Sequence, residues 1–134
     1  GDPRGLAPEG WRVATDEDWK ILIKTIGGDS TAGAMLKSKS GWLENGNGID
    51  KYNFNVVPTG ARGSDGNFYM NKKVCGFWTS SDLEADGLWV VGDDPVDVAW
   101  SRGIHYNKKH IVRNANPKLW GMSVRCVKVN DSDE

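Results

Sequence analysis

The stretch Gly10-Trp11-Arg12-Val13-Ala14-Thr15-Asp16-Glu17-Asp18-Trp19-Lys20-Ile21-Leu22-Ile23-Lys24-Thr25-Ile26-Gly27-Gly28 carries the clearest structural signal in the chain. Residues 10–14 read as a short strand that runs directly into a helix. Thr15 suits the N-cap, because its hydroxyl can accept from a free backbone N–H of the first turn. Asp16, Glu17 and Asp18 put negative charge where the helix dipole favours it. Asp18 stands in the capping-box position, with Asp in place of the usual Glu. Trp19, Leu22, Ile23 and Ile26 then recur at i, i+3, i+4 and i+7, which is one apolar stripe facing a core. Gly27-Gly28 closes the helix, since glycine accepts the left-handed conformation of a C-terminal cap.

Outward from this helix the signals thin. Ser30 is a candidate cap for a second, short helix over Ala32 to Lys37. Between Ser38 and Gly76, glycine, asparagine and serine recur around the aromatic anchors Trp42, Tyr52, Phe54, Phe68 and Tyr69. Tyr52 to Val57 alternates as a strand until Pro58, and Gly63 to Asn67 is a turn by composition. The last sixty residues read as an antiparallel meander. Its strands are Gly76 to Ser80, Val96 to Tyr106, His110 to Arg113 and Trp120 to Val129, with a turn at Asn107-Lys108-Lys109. An acidic loop over Asp82 to Pro95, carrying Leu88, Trp89 and Val90, interrupts it. Residues 1–130 are expected to form a single domain of the α+β class, and residues 131–134 a polar tail.

Composition bounds the function. The 134 residues carry 17 Lys+Arg against 18 Asp+Glu, a net charge of −1, so no cationic excess points to nucleic acid or an anionic membrane. No apolar run approaches the ~20 residues that a spanning helix needs. Seven Trp argue for an ordered aromatic core, and 17 Gly, near double the ordinary ~7% share, for a chain that turns often. The chain opens on Gly1-Asp2-Pro3 rather than Met, the expectation for a trimmed or mature chain. Two cysteines, Cys75 and Cys126, lack zinc and redox spacing, and they are either one disulfide or two small buried hydrophobes.

Few residues suggest chemistry. His105 and His110, five apart, do not share one face of a strand and read as surface histidines. Asn45-Gly46-Asn47-Gly48-Ile49-Asp50 is the main polar cluster. Oxygens of Asn45, Asn47 and Asp50 are candidates to converge on Ca²⁺, although calcium usually takes six to eight oxygens and more than one carboxylate. Asn-Gly pairs are equally strong turn formers. Trp11, Trp19, Trp42, Trp78 and Trp120 sit in apolar patterns and are expected in the core. Trp89 lies among acidic and glycine residues, either as a binding aromatic or as local packing. Trp100 precedes Ser101-Arg102 and belongs to neither group. The run Arg102 to Lys109 reads as a solvated hairpin. Trp89, Trp100, Arg102, His105 and Tyr106 are the candidate ligand-binding residues, since aromatics flanked by polar groups grip sugars and protein partners.

Several segments, in order, resemble the Fibrobacter succinogenes major paralogous domain. They are Pro8-Glu9-Gly10-Trp11-Arg12-Val13 with Thr15-Asp16-Glu17-Asp18-Trp19, Gly41-Trp42 with Asn45 to Asp50, and Gly60-Ala61-Arg62 with Asp65-Gly66-Asn67-Phe68-Tyr69. Gly76-Phe77-Trp78-Thr79-Ser80-Ser81, Ala99-Trp100-Ser101-Arg102 and Trp120-Gly121-Met122-Ser123-Val124-Arg125-Cys126-Val127 complete the match. The resemblance implies a C-type-lectin-like fold, similar to the formylglycine-generating sulfatase-modifying domains. One main N-terminal helix, a second short helix, small antiparallel sheets, long irregular loops and adjacent termini would follow. It also implies a secreted or surface-attached bacterial protein, often a lipoprotein. Sulfatase-modifying relatives hold calcium in loops like 45–50. Three departures stand out: Ala7 replaces a cysteine of the pattern, the Trp-Asn-Asp and Glu-Pro-Asn triplets of calcium-dependent lectins are missing, and the loop around Trp89 is an insertion.

The expectation is therefore a monomeric, non-catalytic extracellular module. It would need no obligatory cofactor and would present loops 59–73 and 83–96 to a glycan or a protein. The alternatives are an enzyme of the formylglycine-generating type and a structural spacer.

Overall fold

The computed structural model describes residues 5–83, 88–91 and 94–130, with the backbone alone at 88–91 and 94–96. Strand β1 (Trp11–Val13) leads into helix α1 (Asp16–Thr25), as the opening stretch predicts. Thr15 Oγ1 accepts from the Asp18 N–H at 3.0 Å and Asp18 Oδ2 accepts from the Thr15 N–H at 2.8 Å, so the capping box is complete. Trp19, Ile23 and Ile26 are buried and Leu22 packs against them. The Trp19 ring lies 5.1 Å from Phe77 and 6.1 Å, edge-on, from Phe54.

Helix α2 (Ala32–Leu36) follows, capped by the backbone at Thr31 with no side-chain bond, so Ser30 is not its cap. A 3-10 turn, Leu43–Asn45, comes next. The expected strand over Tyr52–Val57 is absent. Asn53 and Asn55 take positive φ (57° and 54°), which breaks an extended run. Only Val56 bridges to Lys37.

Strands β2 (Ala61–Arg62) and β3 (Phe68–Tyr69) form a small antiparallel hairpin. The main sheet contains β4 (Val74–Asp82), β5 (Leu88–Val91), β6 (Asp94–His105), β7 (Val112–Pro117) and β8 (Ser123–Val124). Its order is β5-β6-β4-β8, and β7 pairs with the C-terminal half of β6. Residues expected as an acidic loop therefore include strand β5, which pairs antiparallel with the start of β6. Because β8 runs parallel to β4, this sheet is mixed rather than purely antiparallel.

The expected strand Trp120–Val129 is also divided. Arg125 separates β8 from β9 (Cys126–Lys128), which leaves the main sheet and pairs with β1. Arg125 Nη2 donates to the Phe54 carbonyl at 2.6 Å, its guanidinium lies 4.2 Å from the Phe54 ring, and its own carbonyl accepts from Ala14. Those commitments turn the chain from one sheet to the other. The β1–β9 pairing sets the two ends of the described chain side by side. The fold is α+β, with α1 laid over β4 and β6 and the core between them. Cys75 is buried on β4 and Cys126 half-buried on β9, both as free thiols rather than a disulfide. The polar tail expected at 131–134 lies outside the described residues.

Candidate functional site

Trp100 and Arg102 belong to an ion cluster at the start of α1. Arg102 is buried (5% exposed), contrary to a solvated hairpin. Its Nε donates to Asp16 Oδ1 at 2.9 Å, and Nη2 lies 2.8 Å from the same oxygen without hydrogen-bond geometry. Arg113 Nε donates to Asp16 Oδ2 at 2.9 Å, and its guanidinium stacks 3.5 Å from the Trp100 ring centroid. Asp16 is thus the buried anion that holds two arginines of neighbouring strands against the helix. In the sequence it reads only as a dipole-favoured residue, because its partners lie 86 and 97 residues away.

His105 and Tyr106 serve a second structural centre. The Lys37 ammonium is buried and donates to the carbonyls of His105 (3.1 Å), Tyr106 (3.4 Å) and Lys108 (3.3 Å), closing the β6–β7 turn onto α2. Burial holds the Lys37 pKa below its ordinary value. The His105 imidazole is half-buried, and desolvation, then the cations around it, lowers its pKa. His110 is exposed, as expected of a surface histidine. Trp89 lies in β5, its backbone opposite Val96, and its side chain is outside the described residues.

The Asn45–Asp50 segment packs as a turn around these centres. Asn47 Nδ2 donates to Asn45 Oδ1 at 2.9 Å, Asn47 Oδ1 accepts from the Trp42 N–H at 3.1 Å, and Asp50 Oδ1 accepts from the Asn55 N–H at 2.8 Å. Asn45 and Asn47 thus bond to each other, and Asp50 caps the Asn55 backbone, all as contacts within the turn. Glycine is required at 48 because a Cβ there would stand 2.5 Å from Lys37 Cβ.

Accessible chemistry gathers instead at the β2–β3 hairpin. Arg62 and Gly121 exchange two backbone hydrogen bonds of 2.8 Å, which docks the hairpin beside Trp120. The Trp78 indole donates to the Trp120 carbonyl at 3.3 Å. Between them lies a cleft of about 460 Å³ whose walls include Tyr69, Met70, Trp120 and Asp65. Trp120 is 37% exposed, Tyr69 49% and neighbouring Phe68 78%, and Leu119 beside Trp120 is also exposed. Trp120, like Trp11 at 46%, is therefore not a core residue. Trp19 and Trp42 are core, and Trp78 is partly buried.

Asp65 supplies the polar edge of the cleft. It accepts from the Asn67 N–H (3.0 Å), Asn67 Nδ2 (3.1 Å) and the Tyr69 hydroxyl. The Tyr69 hydroxyl, then Asn67, holds the Asp65 pKa below its ordinary value, and Asp65 pushes that of Tyr69 up. A Cβ at Gly63 would meet Asp65 Oδ1 and Tyr69 Cε2 at 2.9 Å each, so a larger residue there would push these two side chains from their places. Met70 holds φ 58°, an uncommon backbone state for a non-glycine residue and one that clusters at ligand sites. Exposed aromatics with a few fixed polar groups mark a binding surface. The sequence pattern places loop 59–73 at the binding face but puts Trp120 in the core. Its apolar neighbours Leu119, Met122 and Val124 imitate a core strand.

No helix among the described residues is long and apolar enough to cross a membrane. The family model described as the Fibrobacter succinogenes major domain matches residues 1–128, and the chain belongs to that family. No curated protein and no solved structure matches it.

Proposed function

We propose that this Fibrobacter succinogenes major domain is a non-catalytic, lectin-like binding module that acts as a monomer at the bacterial surface or outside the cell. Its ligand is a glycan, seated between Tyr69 and Trp120. The observation that carries this reading is the accessible aromatic cleft with a carboxylate fixed at its edge. Aromatic faces offer the C–H face of a pyranose a large apolar contact. Asp65 offers hydroxyl groups a charge-assisted acceptor. The Asp16 and Lys37 centres are both occupied by internal partners, which supports a structural role for them and leaves the cleft as the working surface.

The test is glycan-array binding followed by titration of a positive glycan. Trp120→Ala and Tyr69→Ala should each weaken it on the order of tenfold or more, as central aromatic contacts do, while the thermal midpoint stays near that of the wild type. Binding by both variants equal to wild type would remove the cleft as the site.

A further inference from the structure

A second depression, of about 590 Å³, lies between α1 and the segment leading into β7, and it shares no lining residue with the aromatic cleft. Its floor is aliphatic, from Ile23 and Ile111. Lys20, Lys24 and Arg113 supply charge around it, with Arg102 beneath, and Asp29 is the one carboxylate among the lining residues. Asp16 stands behind this layer, already shared by Arg102 and Arg113, while Lys20 reaches it at 3.6 Å and Glu17 at 3.9 Å.

Arg113 distinguishes this groove from an ordinary basic surface. Its Nε is fixed by Asp16 at 2.9 Å and its plane by Trp100 at 3.5 Å, so the guanidinium is held on one edge and one face. The two terminal nitrogens have no hydrogen bond among the described residues, and the side chain is 38% exposed. A pre-fixed planar fork with unused donors matches the two oxygens of an oxyanion and loses little entropy on engaging one. Lys24 is exposed and adds its charge to the same groove.

We propose that this groove binds the carboxylate or sulfate of an acidic polysaccharide, held by Arg113 and by the lysines of the α1 rim. The site goes beyond the aromatic cleft and stands or falls separately from it. The groove is open, so a chain can lie along it, and the charge around it selects for anionic sugar units over neutral ones.

The test measures binding of polygalacturonate, dextran sulfate, neutral dextran and poly-glutamate to wild type, Lys20→Gln/Lys24→Gln, Arg113→Lys and Trp120→Ala at low ionic strength. The lysine pair is at the surface, so that variant should keep the wild-type melting temperature within a few degrees. It and Arg113→Lys should each weaken binding of at least one acidic polysaccharide about tenfold, the scale of a charge-assisted bond. The polymer affected identifies the anionic group, carboxylate for polygalacturonate and sulfate for dextran sulfate. Trp120→Ala should leave acidic binding intact. Acidic-polymer binding unchanged in both groove variants overturns the proposal, and so does poly-glutamate binding as tightly as the sugars. Glycan-array binding that survives Trp120→Ala and Tyr69→Ala sinks the cleft reading alone.

Discussion

Asp16 is where a single side chain matters most to stability. Replacing it by Asn leaves Arg102 buried beside a neutral amide and releases Arg113. Removing one partner of a buried ion pair costs about 3–5 kcal/mol, so Asp16→Asn should lower the denaturation midpoint sharply. Glu17→Gln, one residue on and largely exposed, should move it by no more than about 0.5 kcal/mol. Asp18 gives a pH signature. The Arg12 guanidinium, with Thr15, holds its carboxyl at about 2 against an ordinary 3.8. The folded value lies below the unfolded one, so the stabilisation is complete above about pH 4 and is lost as pH falls toward 2. Partial solvent screening limits it to about 1 kcal/mol. Denaturation curves between pH 5 and pH 2 should show this loss in the wild type and a smaller one in Arg12→Ala. Curves with the same pH slope would detach Asp18 from Arg12.

Helix α1 was readable because its signals are local: cap, first-turn charge and apolar spacing all fall within about a dozen residues. Ile23→Asp, placing a carboxylate in the buried core cluster, should unfold the domain, by several kcal/mol at a buried site. A variant with the wild-type melting temperature would show that this face does not support the fold. The strands were legible in proportion to how local their causes are. The β6–β7 hairpin shows itself through the Asn107-Lys108-Lys109 turn, although β7 extends to Pro117. The division at Arg125 does not, because it depends on Phe54 and Ala14, far away in sequence. Tyr52–Val57 alternates like a strand, yet two asparagines in left-handed conformations and the Asp50 side chain bend it into a loop. The ionic centres were invisible for the same reason. Arg102, His105 and Tyr106 stand out in the sequence, but only folding brings Asp16 to the Arg102 side chain and Lys37 to the backbone carbonyls of His105 and Tyr106.

Across the whole molecule, two kinds of surface stand apart. Internal charge is spent on holding β6, β7 and α2 in place, and the accessible groups are an aromatic cleft on a short hairpin and a cationic groove beside α1. A rigid base with variable loops is how many binding domains separate stability from specificity. The closing pair, β1 with β9, has a mechanical consequence. Trp11 lies opposite Lys128 and Val13 opposite Cys126, so both flanking segments leave from the same end of that two-stranded ribbon. Tension applied through them peels the ribbon open one rung at a time, beginning at Trp11–Lys128, instead of shearing all its rungs together. Pulled in optical tweezers by residues 5 and 130, the domain should yield its first extension at low force, whereas pulling from residue 5 against a handle on β6 should meet a firmer barrier. Tethered in flowing liquid, such a module would surrender its outer ribbon well before its cleft-bearing body.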